Sequence, residues 1–189
     1  MNPHRLYIEQ TTFNGVSYTH SQVRDTYATW GIVCAKSPFK YGEAKDAASR
    51  NWLDEHGEDV YIPADVKLKK FDAEFTFLCN GTEEDVKYKV RQFHRFLSGK
   101  SWKRKNNDGI ESTVAANGAR LVIYDAYNGL GWKDVRFKSF SADGLVMDNT
   151  DNEVVLEFKV VFEVYDPYSE VYTLESVQTG DIVLAWRTN

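Results

Sequence analysis

The side chains best suited to ligating a metal or attacking a substrate are four histidines, His4, His20, His56 and His94, and two cysteines, Cys34 and Cys79. Zinc-type sites bring such residues together in closely spaced pairs. Here they are scattered along 189 residues, so no metal or cofactor site is expected. No Gly-x-Ser-x-Gly elbow, phosphate loop or Gly-x-Gly-x-x-Gly turn is present. Asp54, Glu55, Glu58 and Asp59 surround His56 and supply the groups of an acid and a base, but a run of neighbouring charges beside Gly57 reads as a solvated loop. Cys79 falls on the apolar side of its own segment, and both thiols are expected to be buried and free. The remaining constellation is Lys100, Trp102, Lys103, Arg104 and Lys105, which joins basic charge to an aromatic ring. That mixture serves a nucleic-acid contact or a contact with another subunit. In a chain of net charge -5 a solvated or subunit-contacting loop is expected rather than a nucleic-acid site.

Charge is unevenly distributed. Thr82 to Lys105 carries eight basic and three acidic side chains, whereas Asp143 to Asp181 carries ten acidic and one basic. Unlike patches on one small domain suit head-to-tail association of copies. Hydrophobic residues make up 42% and aromatics 14% of the chain, with only 4 prolines, which favours a packed, aromatic-rich β core in a single domain. No apolar run approaches the roughly 20 residues of a membrane helix. The first ten residues, MNPHRLYIEQ, lack the apolar centre of a signal peptide, so no membrane partner and no export are expected.

The elements that must carry these residues are clearest between Val66 and Leu97. Phe71, Ala73, Phe75, Phe77 and Cys79 alternate with Asp72, Glu74 and Thr76, the pattern of a half-buried strand. Asn80-Gly81 ends it, and Thr82 with Asp85 resembles a capping box. The helix that follows places Val86, Val90, Phe93 and Leu97 on one stripe. Earlier, Leu6 to Ile8 and Tyr27 to Cys34 are strand candidates, 36–63 is expected to be a long loop, and a break is expected near Lys69-Lys70. Residues 99–118 are expected to form a second long loop. Leu121 to Ala126 and Trp132 to Phe140 form a hairpin around Asn128-Gly129-Leu130-Gly131, and a short strand at Leu145 to Met147 follows an Ala142-Asp143-Gly144 turn. Val154 to Tyr165 places six apolar residues on one face and ends at Asp166-Pro167. Residues 168–189 supply a C-terminal arm or hairpin. The sum is a mainly β chain: an antiparallel β-sandwich or barrel with one amphipathic helix packed against it.

This order of elements resembles bacteriophage tail proteins of the distal tail and tail-tube families. The resemblance rests on the strand entering Asn80-Gly81-Thr82-Glu83-Glu84, the helix ending Phe93-His94-Arg95-Phe96-Leu97, then Leu121 to Tyr124, Val135-Arg136-Phe137 and the long Val154 to Tyr165 strand. Trp52 to Pro63, with Asp54, Gly57 and Tyr61, is similar to the acidic Gly-containing turn of distal tail proteins. The pattern covers about residues 50–167 and leaves no room for the C-terminal carbohydrate-binding-like domain of some relatives. It implies a virion or prophage structural component without catalysis, forming homo-oligomeric rings, commonly hexameric, where tail tube meets baseplate. The implied partners are further copies and other tail or baseplate proteins, with DNA only as cargo in a channel; the implied location is the virion tail, or the bacterial cytoplasm when expressed from a prophage. Trp102, Lys103, Arg104, Lys105 and Trp186 are the expected subunit-contact residues. The competing class is a carbohydrate- or protein-binding β-sandwich module, with Trp102, Trp132 and Trp186 as its aromatic platforms.

Overall fold

The alternation from Phe71 to Cys79 becomes the 11-residue strand Phe71–Gly81, whose Phe71, Ala73, Phe75, Phe77 and Cys79 are all buried. The computed structural model describes residues 4–46, 48–51, 58–61, 64–106, 108–147, 153–167, 169–176 and 182–188. In chain order its strands begin with β1 (Leu6–Phe13), β2 (Tyr18–His20), β3 (Arg24–Asp25), β4 (Ile32–Lys36), β5 (Ala48–Asn51), β6 (Glu58–Tyr61) and β7 (Phe71–Gly81). They continue with β8 (Trp102–Lys105), β9 (Glu111–Val114), β10 (Arg120–Asp125), β11 (Leu130–Met147), β12 (Val154–Val164), β13 (Ser169–Ser176) and β14 (Ile182–Thr188). Helix α1 (Thr26–Trp30) lies between β3 and β4, and α2 (Glu83–Leu97) between β7 and β8.

One 10-stranded sheet follows the path β2-β1-β10-β11-β12-β7-β4, with β3 beside β1 and the β13–β14 hairpin joined to β11. β7 and β12 pair antiparallel throughout, from Phe71 opposite Val164 to Gly81 opposite Val154. On their inner face the ring centroids of Phe75 and Phe162 are 5.5 Å apart, and those of Phe77 and Phe158 5.4 Å. The Cys34 N–H donates to the His4 carbonyl at 3.3 Å, so β4 meets the chain entering β1 and the sheet curls back on itself. Leu6, Ile32, Phe75, Leu121, Val135 and Phe162, from β1, β4, β7, β10, β11 and β12 in turn, share the enclosed core. The fold is therefore mainly antiparallel β, consistent with a β-sandwich.

Helix α2 covers this core. Thr82 Oγ1 accepts the Asp85 N–H at 3.3 Å, and Glu83, Glu84 and Asp85 place negative charge at the positive end of the helix dipole. Val86, Val90, Phe93 and Leu97 are buried, together with Gln92 and Phe96. Burial of each such apolar side chain stabilises by about 1.5–3 kcal/mol relative to exposure. The two buried amides are tied down as well. Gln92 Oε1 accepts the Lys103 N–H at 2.8 Å and so docks β8 on the helix. Gln10 Nε2 donates to the Phe96 carbonyl at 2.7 Å, while its Oε1 accepts the Asn117 N–H at 3.1 Å.

Several segments differ from the sequence expectation. Tyr27 to Trp30 is helical rather than extended, because the Asp25 carboxylate accepts the Tyr27 and Ala28 N–H groups at 2.9 and 3.2 Å and Gly31, at φ 66°, ends the turn before β4. There are thus two helices among the described residues. The long loop expected over 99–118 contains the β8–β9 hairpin, with Trp102 opposite Val114. The loop expected over 36–63 contains the β5–β6 hairpin. Residues 168–189, expected as a C-terminal arm or hairpin, contain the antiparallel pair β13 and β14. Ala142-Asp143-Gly144 is a bulge rather than a turn: Ala142 pairs with Phe158 and Leu145 with Leu156, so β11 runs unbroken from Leu130 to Met147.

Candidate functional site

A basic flank is assembled where α2, the β8–β9 hairpin and the end of α1 meet. Its floor is aromatic: the Trp30 ring lies 5.1 Å from both Phe93 and Trp102 and 5.0 Å from Phe96, centroid to centroid. Trp102 is only 1% exposed. This corrects its expected place as a subunit-contact residue: the ring packs inward against Trp30 and Phe96, and Lys103, Arg104 and Lys105 remain outside. The reason is the hairpin, which presents one apolar side chain from a strand otherwise wholly basic.

The cations are not equivalent. Lys103 Nζ reaches Glu111 Oε2 at 2.8 Å, and Lys89 Nζ reaches Asp85 Oδ2 at 2.5 Å. Lys87 pairs with Glu83 one helical turn away. Lys105 Nζ stands 4.4 Å above the Tyr88 ring, a cation–π contact. Arg104 has no carboxylate partner among the described residues, and neither has Arg24, whose guanidinium carbon lies 5.5 Å from the Trp102 ring centroid. Burial, and after it the Arg104 charge, hold Arg24 below its ordinary value, so the two guanidiniums are near enough to repel each other. A cavity of about 170 Å³ opens here, lined by Trp30, Lys89, Trp102, Arg104 and Lys105 with Asp85. Trp30 is 4% exposed, and its Nε1 has no hydrogen-bond partner among the described residues. Such an arrangement holds anions by charge.

Sequence reading missed Arg24 and Trp30. The signal was the cap pair Asp25 and Gly31 around Thr26 and Trp30, whose spacing of four places both on the buried side of a single helical turn.

The other candidates are dispersed. His4 Nε2 lies 2.5 Å from Asp125 Oδ1, and His20 Nδ1 lies 2.7 Å from Glu9 Oε1, two separate pairs on the β1 side. His94 is on α2, its ring 5.2 Å from Phe137 and 6.0 Å from Phe140. Among the described residues no three His, Cys, Asp or Glu side chains gather to hold a metal ion, and no helix is long and apolar enough to cross a membrane. Asp54, Glu55 and His56 lie outside the described residues, as do the side chains of Glu58 and Asp59. Trp132 is 2% exposed, packed against Phe71 at 5.7 Å. Trp186 lies in β14 opposite Val171, and its side chain is outside the described set.

No protein-family model matches the chain, and no curated protein matches it. Among solved structures it is similar to SPP1 Dit, a hub protein of the adsorption apparatus in phages that infect Gram-positive bacteria. That likeness has a TM-score of 0.47 at 10% identity and covers 89% of this chain and 53% of the other. The chain thus spans about half the length of that structure.

Proposed function

We propose that this chain is a structural component of a phage or prophage tail, a ring subunit of distal-tail or tail-tube type at the junction of tube and baseplate. It acts by self-assembly and not by catalysis. The observation that carries the reading is the separation of unlike charge between elements: the basic residues of Thr82 to Lys105 lie on α2, β8 and the link between them, and the acidic Asp143, Glu153 and Glu157 are exposed on the end of β11 and the start of β12. Unlike patches that are not related by a two-fold axis make heterologous contacts, which close into rings when the rotation permits. The element order from β7 through α2 to β12, in a curled antiparallel sheet, supports the same reading. The proposed partners are further copies, six in the ring size that the resemblance implies, and neighbouring tail proteins, with DNA as cargo in the channel and the virion tail as the location. The proposed contact pairs the Thr82 to Lys105 region with the acidic C-terminal third, and Trp186 remains its apolar candidate. The binding-module alternative loses two of its three aromatic platforms, because Trp102 and Trp132 are buried.

Sedimentation velocity and negative-stain electron microscopy across concentration and salt test the proposal. Closed rings or salt-weakened oligomers are expected. A strictly monomeric protein at high concentration and low salt overturns it.

A further inference from the structure

Arg24 lies 5.5 Å from the Trp102 ring centroid, Arg104 lines the cavity against the same ring, and neither forms an ion pair with a carboxylate among the described residues. Each like-charged neighbour raises the cost of the other, and a partly buried cation without a partner is costly to hold. A bound anion removes both costs. The 170 Å³ cavity at Arg104 has room for a carboxylate, and its wall holds Lys89, Lys103 and Lys105 as well, against one acid, Asp85.

The acid that fits is carried elsewhere in the same chain. The bulge between Ala142 and Leu145 leaves Asp143 and Gly144 opposite Glu157, with Gly144 at φ 116° making the extra residue possible. Asp143 and Glu157 are exposed, as is Glu153 at the start of β12, and none has a cationic partner among the described residues. Glu157 alternates with the buried Leu156 and Phe158, so it faces away from the core and from α2. The cleft is lined by α2, β8 and the end of α1, and α2 packs on the inner face through Phe93 against Phe77 and Phe158. One copy therefore cannot bring its own acidic patch to its own arginines.

We infer that the cleft at Arg104, with Arg24 beside it over the Trp102 ring, is a carboxylate-binding site whose occupant is the acidic bulge of a second copy of this chain, Asp143 with Glu157. This rests on the reading of the protein as a self-assembling subunit and names the contact. A cleft on one flank and a projecting acidic bulge on the other make a head-to-tail joint, and the carboxylates take the place of the missing counter-charge. Inorganic phosphate, which offers the same anionic oxygens, competes for the site.

The test is a charge swap read by sedimentation equilibrium on the full chain, with the melting temperature as a folding control. R104E alone and E157R alone should each raise the dissociation constant of self-association about tenfold, the equivalent of about 1.4 kcal/mol. The double variant R104E/E157R should recover most of that loss, whereas R104E/E43R, which restores the same net charge at a different exposed residue, should not. R24Q, which removes the charge beside Trp102, should weaken association in the same direction. Phosphate added at constant ionic strength should weaken the wild type and leave R104E unmoved. If the wild type associates and the swap neither weakens nor restores it, this contact is wrong while the assembly reading stands. If the wild type does not associate at all, both fall. If a DNA oligonucleotide binds the wild type, fails to bind R104E and leaves self-association untouched, the occupant is nucleic acid and the inference is overturned.

Discussion

Glu163 anchors the wet face of the sheet. Its carboxylate accepts from Lys70 Nζ at 2.6 Å, from Tyr165 Oη at 2.5 Å and from Arg136 Nη2 at 3.2 Å, and Lys70 and Arg136 also stand near the Tyr165 ring at 5.4 and 5.5 Å. The Lys70 hydrogen bond first, and then that of Tyr165, hold the carboxyl at about 2, below its ordinary 4.5. A depressed acid contributes stability that is complete above the unfolded value and lost as the pH falls through the folded one. Glu163→Gln should therefore lower the melting temperature at pH 7, and the gap to wild type should close between about pH 4.5 and pH 2. A gap that persists unchanged into acid would remove the charge from the account. The thiols show the opposite sign. Burial, with Asp125 adding to it, pushes Cys34 up to about 12, and burial pushes Cys79 up to about 11. Both should stay unalkylated by iodoacetamide at pH 8 in native protein and react in urea, as mass spectrometry would show. Their stabilising contribution is complete below about pH 9 and is lost as the pH rises towards those values.

At the scale of the element, α2 is held by what it covers and not by its own propensity. Its inner stripe meets Phe77 and Phe158 through Phe93, with centroids at 5.5 and 6.3 Å, while Gln92 fastens β8 to its flank. Val90→Asp would put an unpaired charge against this face, and the expected loss is about 3–5 kcal/mol, the scale for a buried charge without a partner. Urea denaturation followed by circular dichroism measures it, and an unchanged midpoint would remove α2 from the core. The same element explains a failure of sequence reading. The β8–β9 hairpin has Trp102 as its one buried residue among basic and polar neighbours, so no period-two signal exists in four residues. Its strand character comes from docking on α2, where Lys103 N–H finds Gln92 and the indole finds Trp30 and Phe96.

For the whole molecule, assembly should be salt-sensitive, because exposed ion pairs are individually weak and are screened over about 10 Å at 0.1 M salt. Reversing Lys103, Arg104 and Lys105 to glutamate should reduce association while far-ultraviolet circular dichroism remains unchanged, since all three side chains are exposed. Light scattering at two salt concentrations checks this. Equal association of both proteins would detach the basic flank from assembly.

The sequence alone determined the elements with long, regular periodicity. Phe71 to Cys79 and Val154 to Val164 declare their inner faces over several repeats, and Thr82 with the Val86, Val90, Phe93, Leu97 stripe marks both the start and the buried side of α2. It also fixed the imbalance of charge between the two regions of the chain. The tertiary structure alone decided which short segments join those elements and which charges are left without partners. Trp102 is buried because β8 lies on α2, and Arg24 stands over Trp102 because α1 folds against the same aromatic floor. Asp143 and Glu157 share a bulge because β11 stays in register on both sides of it. The physical reason is that periodicity is a local property of the chain, whereas the neighbours of an isolated tryptophan or arginine are set by contacts between residues far apart in sequence.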